Sequence, residues 1–98
     1  MSEQAFETLA DSLLESLEEE IEDAELQGGV LTVDADEGTW VVNKHAPTRQ
    51  IWLSSPKSGA RHYAFDPASG LWKDTRGGGD LLAILSDELD TSLSWRAA

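Results

Sequence analysis

Ninety-eight residues with 40% hydrophobic content and a formal charge of −12 suffice for one small core and leave no room for a second domain. A calculated pI near 4.2 repels phosphate backbones and anionic lipid, which excludes nucleic acid and membrane surfaces as partners and favours cations and basic proteins. With no cysteine in the chain, a disulfide, a thiolate nucleophile and a self-held iron–sulfur cluster are excluded as well.

The first predicted element is a helix over 2–23. Phe6, Leu9, Ala10, Leu13, Leu14, Leu17 and Ile21 recur at steps of three and four and form one apolar stripe. At 100° per residue Glu7, Asp11, Glu15, Glu18 and Glu22 gather on the opposite side, flanked by Glu19 and Asp23. Thirteen of the 19 acids precede Lys44, and all seven Lys and Arg lie at or after it, so this helix contains none of the Lys that normally alternate with Glu. Six like-charge i,i+4 pairs result, each opposing the helix by roughly 0.2–0.5 kcal/mol. Such a ridge suits hard cations that take oxygen ligands, bound weakly, openly and more than one at a time.

After Gly28-Gly29 the period changes from 3.6 to two. Strands are predicted at 25–35, 39–44, 49–54, 61–65 and 71–74, with turns at 36–38, 46–48, 56–59 and 67–70. Alternation sends Leu31, Val33, Trp40, Val42, Ile51, Leu53, Tyr63 and Phe65 to the helices. It leaves Thr32, Asp34, Val41, Asn43, Gln50, Trp52, Ser54 and His62 on the other face, where an exposed Trp52 reads as a protein-binding hot spot. Gly77-Gly78-Gly79 then breaks the chain, and Asp80 caps a last helix carrying Leu81, Ile84, Leu85 and Leu89. The expected fold is α+β: a two-layer sandwich with two helices on one face of an antiparallel sheet of five to six strands, a single domain over 1–98.

Other signals are weak. Asp34 to Gly38 resembles the start of a calcium loop, but His45 stands at its twelfth position. Ser54-Ser55-Pro56-Lys57 lacks the partner motifs of an S-x-x-K hydrolase, and Arg76 to Asp80 lacks the G-K-[ST] of a phosphate loop. No Glu precedes a His at the spacing of a di-iron oxidase helix, and His45 and His62 read as surface residues.

The blocks Gly38-Thr39-Trp40-Val41-Val42-Asn43-Lys44 and Gln50-Ile51-Trp52-Leu53-Ser54-Ser55-Pro56, with Ser58-Gly59 and Tyr63, strongly resemble the frataxins, in particular the bacterial (CyaY-type) members. The likeness runs from Phe6-Glu7 to Glu88-Leu89. It implies an iron-binding accessory of iron–sulfur cluster assembly, not an enzyme, that docks on the cysteine desulfurase and its scaffold protein. It also implies a bacterial cytoplasmic location and a monomer without metal. If this is an organellar protein, the absence of an Arg- and Ser-rich presequence implies that this chain is the mature form.

By the resemblance, the iron-binding ridge falls on Glu7, Asp11, Glu15, Glu19, Glu22 and Asp23. The segment after the first helix is short, so Glu25, Asp34 and Asp36 are expected to supplement it, beside Glu18 from the periodicity. The docking surface falls on Asn43, Gln50, Trp52 and Ser54, with Arg61 and His62 at the basic docking position. The competing readings are a ferroxidase that oxidises Fe²⁺ on the ridge and oligomerises with iron, and an acidic inhibitor that needs no metal.

Overall fold

The computed structural model describes residues 1–97. Helix α1 spans Glu3–Glu20, and the Ser2 hydroxyl caps it by accepting the Ala5 N–H at 3.1 Å. Six strands follow: β1 (Ala24–Gln27), β2 (Val30–Ala35), β3 (Gly38–His45), β4 (Gln50–Ser55), β5 (Gly59–Asp66) and β6 (Leu71–Asp74). A 3₁₀ turn, Ala46–Thr48, joins β3 to β4, and helix α2 (Leu81–Glu88) closes the order. The strands form one antiparallel sheet in sequence order, β1 to β6, with both helices on one face.

Two expectations about the first third of the chain are corrected. The helix stops at Glu20 and not at 23: its last turn holds no basic residue to offset the negative end of the dipole, and Asp23 turns the chain with φ at +64°. The strand expected over 25–35 is a hairpin. Gly28 and Gly29, with φ of +60° and +79°, reverse the chain so that Gln27 pairs with Val30 and Ala24 with Val33.

Alternation assigned the core correctly for β2 to β5, where Leu31, Val33, Trp40, Val42, Ile51, Leu53 and Tyr63 are buried against Phe6, Ala10, Leu13, Leu14 and Leu17 of α1. Phe65 is only partly buried and meets Trp72 edge-on, at a centroid separation of 5.3 Å. One part of the core comes from outside any predicted element. Trp95, in the irregular segment after α2, is buried beside Trp72, and its indole N–H donates to the Ser12 hydroxyl at 3.1 Å.

The C-terminal end of α2 is fastened to the sheet through Glu88. Its Oε1 accepts from the Ser55 hydroxyl at 2.6 Å and the Trp40 indole N–H at 2.9 Å. Burial pushes this carboxyl up, yet the Ser55 and Trp40 donors outweigh it and hold Glu88 below the ordinary carboxylate value.

Candidate functional site

The two surfaces singled out in the sequence lie on opposite layers, one on the solvent side of α1 and the other on the uncovered face of the sheet. Along α1 Phe6, Ala10, Leu13, Leu14 and Leu17 are fully buried and Leu9 partly so, which fixes the roll of the helix and turns Glu15, Glu18 and Glu19 to solvent. Glu22, Asp23 and Glu25 continue this exposed acid beyond the helix end.

The structure divides the ridge. At its N-terminal end Lys44, projecting from β3, places Nζ 2.7 Å from Glu7 and 2.8 Å from Asp11. The hydrogen bonds to Asp11 and Glu7 raise the Lys44 pKa, keeping it a fixed counter-charge. Farther along, Glu18 accepts the Leu26 backbone N–H at 2.9 Å and ties the helix to β1. Glu15, Glu19, Glu22 and Asp23 make no hydrogen bond or ion pair among the described residues. Asp34 accepts from the Thr39 hydroxyl at 2.8 Å, and Asp36 lies exposed in the β2–β3 turn.

No three His, Asp or Glu side chains among the described residues are arranged to hold one metal ion. The donors are carboxylate oxygens throughout, a chemistry that fits iron and other hard cations on an open surface and forms no closed cage.

On the sheet, register sets the second surface. Trp52 of β4 lies between Asn43 of β3 and His62 of β5, its direct cross-strand neighbours. Its indole is stacked on both sides, on His45 at 3.7 Å and on His62 at 4.3 Å, each with planes 13° apart. Its N–H donates to Gln50 Oε1 at 2.9 Å. Trp52 is therefore half-buried by its own neighbours and not the fully wet tryptophan expected, because period-two alternation gives the face of a residue but not the size of the side chains beside it.

Beside it, Val41, Asn43, Ser54, Ala60 and His62 border a shallow depression of about 220 Å³. Arg61 is not on this face. It turns to β6, where Nη1 pairs with Asp74 at 3.1 Å, so Arg61 stands apart from Asn43, Gln50, Trp52, Ser54 and His62. The importance of His45 as half of the stack was missed; its place two residues from Asn43 on the same face was the available signal.

A match to the family described as frataxin-like domain covers residues 1–94. Among curated proteins, the mitochondrial frataxin homolog of Schizosaccharomyces pombe is 46% identical over 79 residues, spanning 80% of this chain and 50% of that protein. The Saccharomyces cerevisiae mitochondrial homolog is 42% identical over 92 residues, spanning 86% and 52%. The chain thus spans about half the length of the curated relatives it matches.

Among solved structures, frataxin from Psychromonas ingrahamii superposes with a TM-score of 0.77 at 27% identity, covering 96% of this chain and 97% of that one. Trimeric frataxin from S. cerevisiae, complexed with ferrous iron, gives a TM-score of 0.63 at 38% identity, covering 92% and 84%. The bacterial cytoplasmic location expected from the sequence is overturned by these curated relatives, which are mitochondrial proteins.

Proposed function

The chain belongs to the frataxin family, and on that premise we propose that it is an iron-binding accessory of iron–sulfur cluster assembly with no turnover of its own. Iron is taken by the exposed carboxylates of Glu15, Glu19, Glu22 and Asp23, with Glu25, Asp34 and Asp36 near the sheet edge. Glu7 and Asp11 contribute less, since Lys44 already answers their charge. The Trp52 face, with Asn43, Gln50, Ser54 and His62, docks on the cysteine desulfurase and its scaffold protein.

The observation that carries this reading is the carboxylate run on α1, whose like charges oppose the helix and which at Glu15 and Glu19 has no partner from the rest of the fold among the described residues. A ridge that served only as a solvated face would gain stability from interleaved Lys, and it has none. Capture of the desulfurase by the immobilised protein, with and without iron, tests the reading. Capture lost on Trp52→Ala supports it, and capture indifferent to both Trp52 and the ridge contradicts it.

One observation favours a second reading. The related S. cerevisiae protein forms trimers, in one structure complexed with ferrous iron, which suits a ferroxidase that holds iron in an oligomer. Oxygen uptake during Fe²⁺ addition separates the two, since only the ferroxidase consumes oxygen faster than a buffer blank.

A further inference from the structure

The cations of this acidic chain are mostly spent. Lys44 is held by Glu7 and Asp11, Lys57 by Glu37, Lys73 by Asp66 and Arg61 by Asp74. Arg76 makes no ion pair among the described residues. It lines, with Arg61, His62, Thr75 and Gly78, a polar cleft of about 400 Å³ at the β5–β6 end of the sheet.

The acid in this cleft is already occupied. The Asp74 side chain is 4% exposed; its Oδ2 takes Arg61 Nη1 at 3.1 Å and its Oδ1 takes the Arg76 backbone N–H at 2.8 Å. One carboxylate therefore faces two permanently charged guanidinium groups, and the cleft carries an excess of positive charge inside a molecule of charge −12. Arg61 is also under-used, because its Nε is buried with no acceptor.

The glycine run is shaped to this cleft. Gly77 and Gly79 take φ of +84° and +95°, and a Cβ on Gly78 would collide with the Asp74 carboxylate and Arg61 Nη1. Only glycine lets the backbone lie this close to the ion pair. The Gly77 N–H is used on the Asp74 carbonyl, whereas the Gly78 N–H has no acceptor among the described residues. Backbone donors beside guanidinium groups, in a turn of left-handed residues, form a concavity for anions.

We propose that the Arg61–Arg76–Gly78 cleft is a binding site for a compact oxyanion of the phosphate class, separate from the acidic ridge and independent of iron. Arg76 supplies the uncompensated charge, Arg61 the fork anchored by Asp74, and Gly78 a main-chain donor. His62 lines both this cleft and the depression beside Trp52, so the anion borders the sheet face.

The test is a titration of the metal-free protein with inorganic phosphate, followed by ¹H–¹⁵N spectra of the backbone amides and arginine Nε–H groups. Sodium chloride at matched ionic strength, and acetate, run beside it. Expected are saturable shifts confined to Arg61, His62 and 75–79, at least tenfold tighter for phosphate than for acetate, and a tenfold or greater loss of affinity in Arg76→Gln. That side chain is exposed and unpaired, so the fold is left intact and the spectrum elsewhere serves as the check. Shifts that follow ionic strength alone, an acetate response equal to that of phosphate, or an unaltered Arg76→Gln titration would each overturn the assignment.

Discussion

Lys44 Nζ lies 2.7 Å from Glu7 Oε2, so a cation from the sheet neutralises acid on the helix, and the same ammonium reaches Asp11 at 2.8 Å. Replacing it by Met leaves two carboxylates one helical turn apart without a donor. Lys44→Met is expected to cost about 1 kcal/mol, which lowers the melting temperature by roughly 4–8 °C in a domain of this size. It also frees two ligands, so the variant binds more iron than its parent and regains more of its stability when iron is added. Melting curves with and without Fe²⁺ check both halves; an unchanged melting temperature would reduce the bridge to an ordinary surface pair.

Because α1 ends at Glu20, only Glu3/Glu7, Glu7/Asp11, Asp11/Glu15 and Glu15/Glu19 of the anticipated like-charge pairs lie within the helix. Glu15→Lys converts the last two from repulsive to attractive. A gain of about 1 kcal/mol in stability is expected, together with weaker iron binding. Chemical denaturation and a metal titration of one preparation measure the pair of effects, and a variant that loses stability while keeping its iron contradicts the ridge as described.

Trp52→Ala removes an indole stacked on two imidazoles but not a core residue. A loss of about 1–2 kcal/mol is expected from the lost stacking, against about 2–5 kcal/mol for Ile51→Ala, whose side chain is fully buried. Desulfurase binding should fall by roughly 2 kcal/mol or more in Trp52→Ala. Were Trp52→Ala to melt below Ile51→Ala, the residue would belong to the fold and not to a docking face.

Residues with a strict period were legible in the sequence. Phe6 to Leu17 fixed the buried side of α1, and the parity of Ile51 and Leu53 placed Trp52 opposite the helices. What was missed lacks such a signal. Glu25-Leu26-Gln27 was expected as strand, but the reversal at Gly28-Gly29 that makes it a separate strand folded back onto β2 was not. Trp95 lies in irregular backbone, where no period exists to mark it as core. The Lys44 bridge joins residues 37 and 33 positions apart, and the ridge therefore looked less compensated along the chain than it is in space.

Asp74 gives the fold a defined acid response. The Arg76 backbone N–H holds its carboxyl below the ordinary 3.8; burial opposes this and Arg61 reinforces it. A carboxyl with a lowered folded-state pKa stabilises the protein above its unfolded value, and that stability is lost as pH falls from about 3.8 through the folded value. Asp74→Asn should be less stable than the parent at neutral pH, and the difference should shrink below about pH 4. Melting temperature against pH for the two proteins is the check. A constant gap across that range would mean that charge at Asp74 is irrelevant to the fold.

Iron is proposed to sit on the far part of α1, where Glu15 and Glu19 have no partner among the described residues. Anaerobic Fe²⁺ titration read by paramagnetic broadening of backbone amide signals locates the metal directly. Early broadening is expected at Glu15, Glu19, Glu22 and Asp23, spreading to Glu25, Asp34 and Asp36, while Trp52, His45 and His62 stay sharp. Broadening that begins at His45 and His62, or that appears uniformly over the chain, would contradict it.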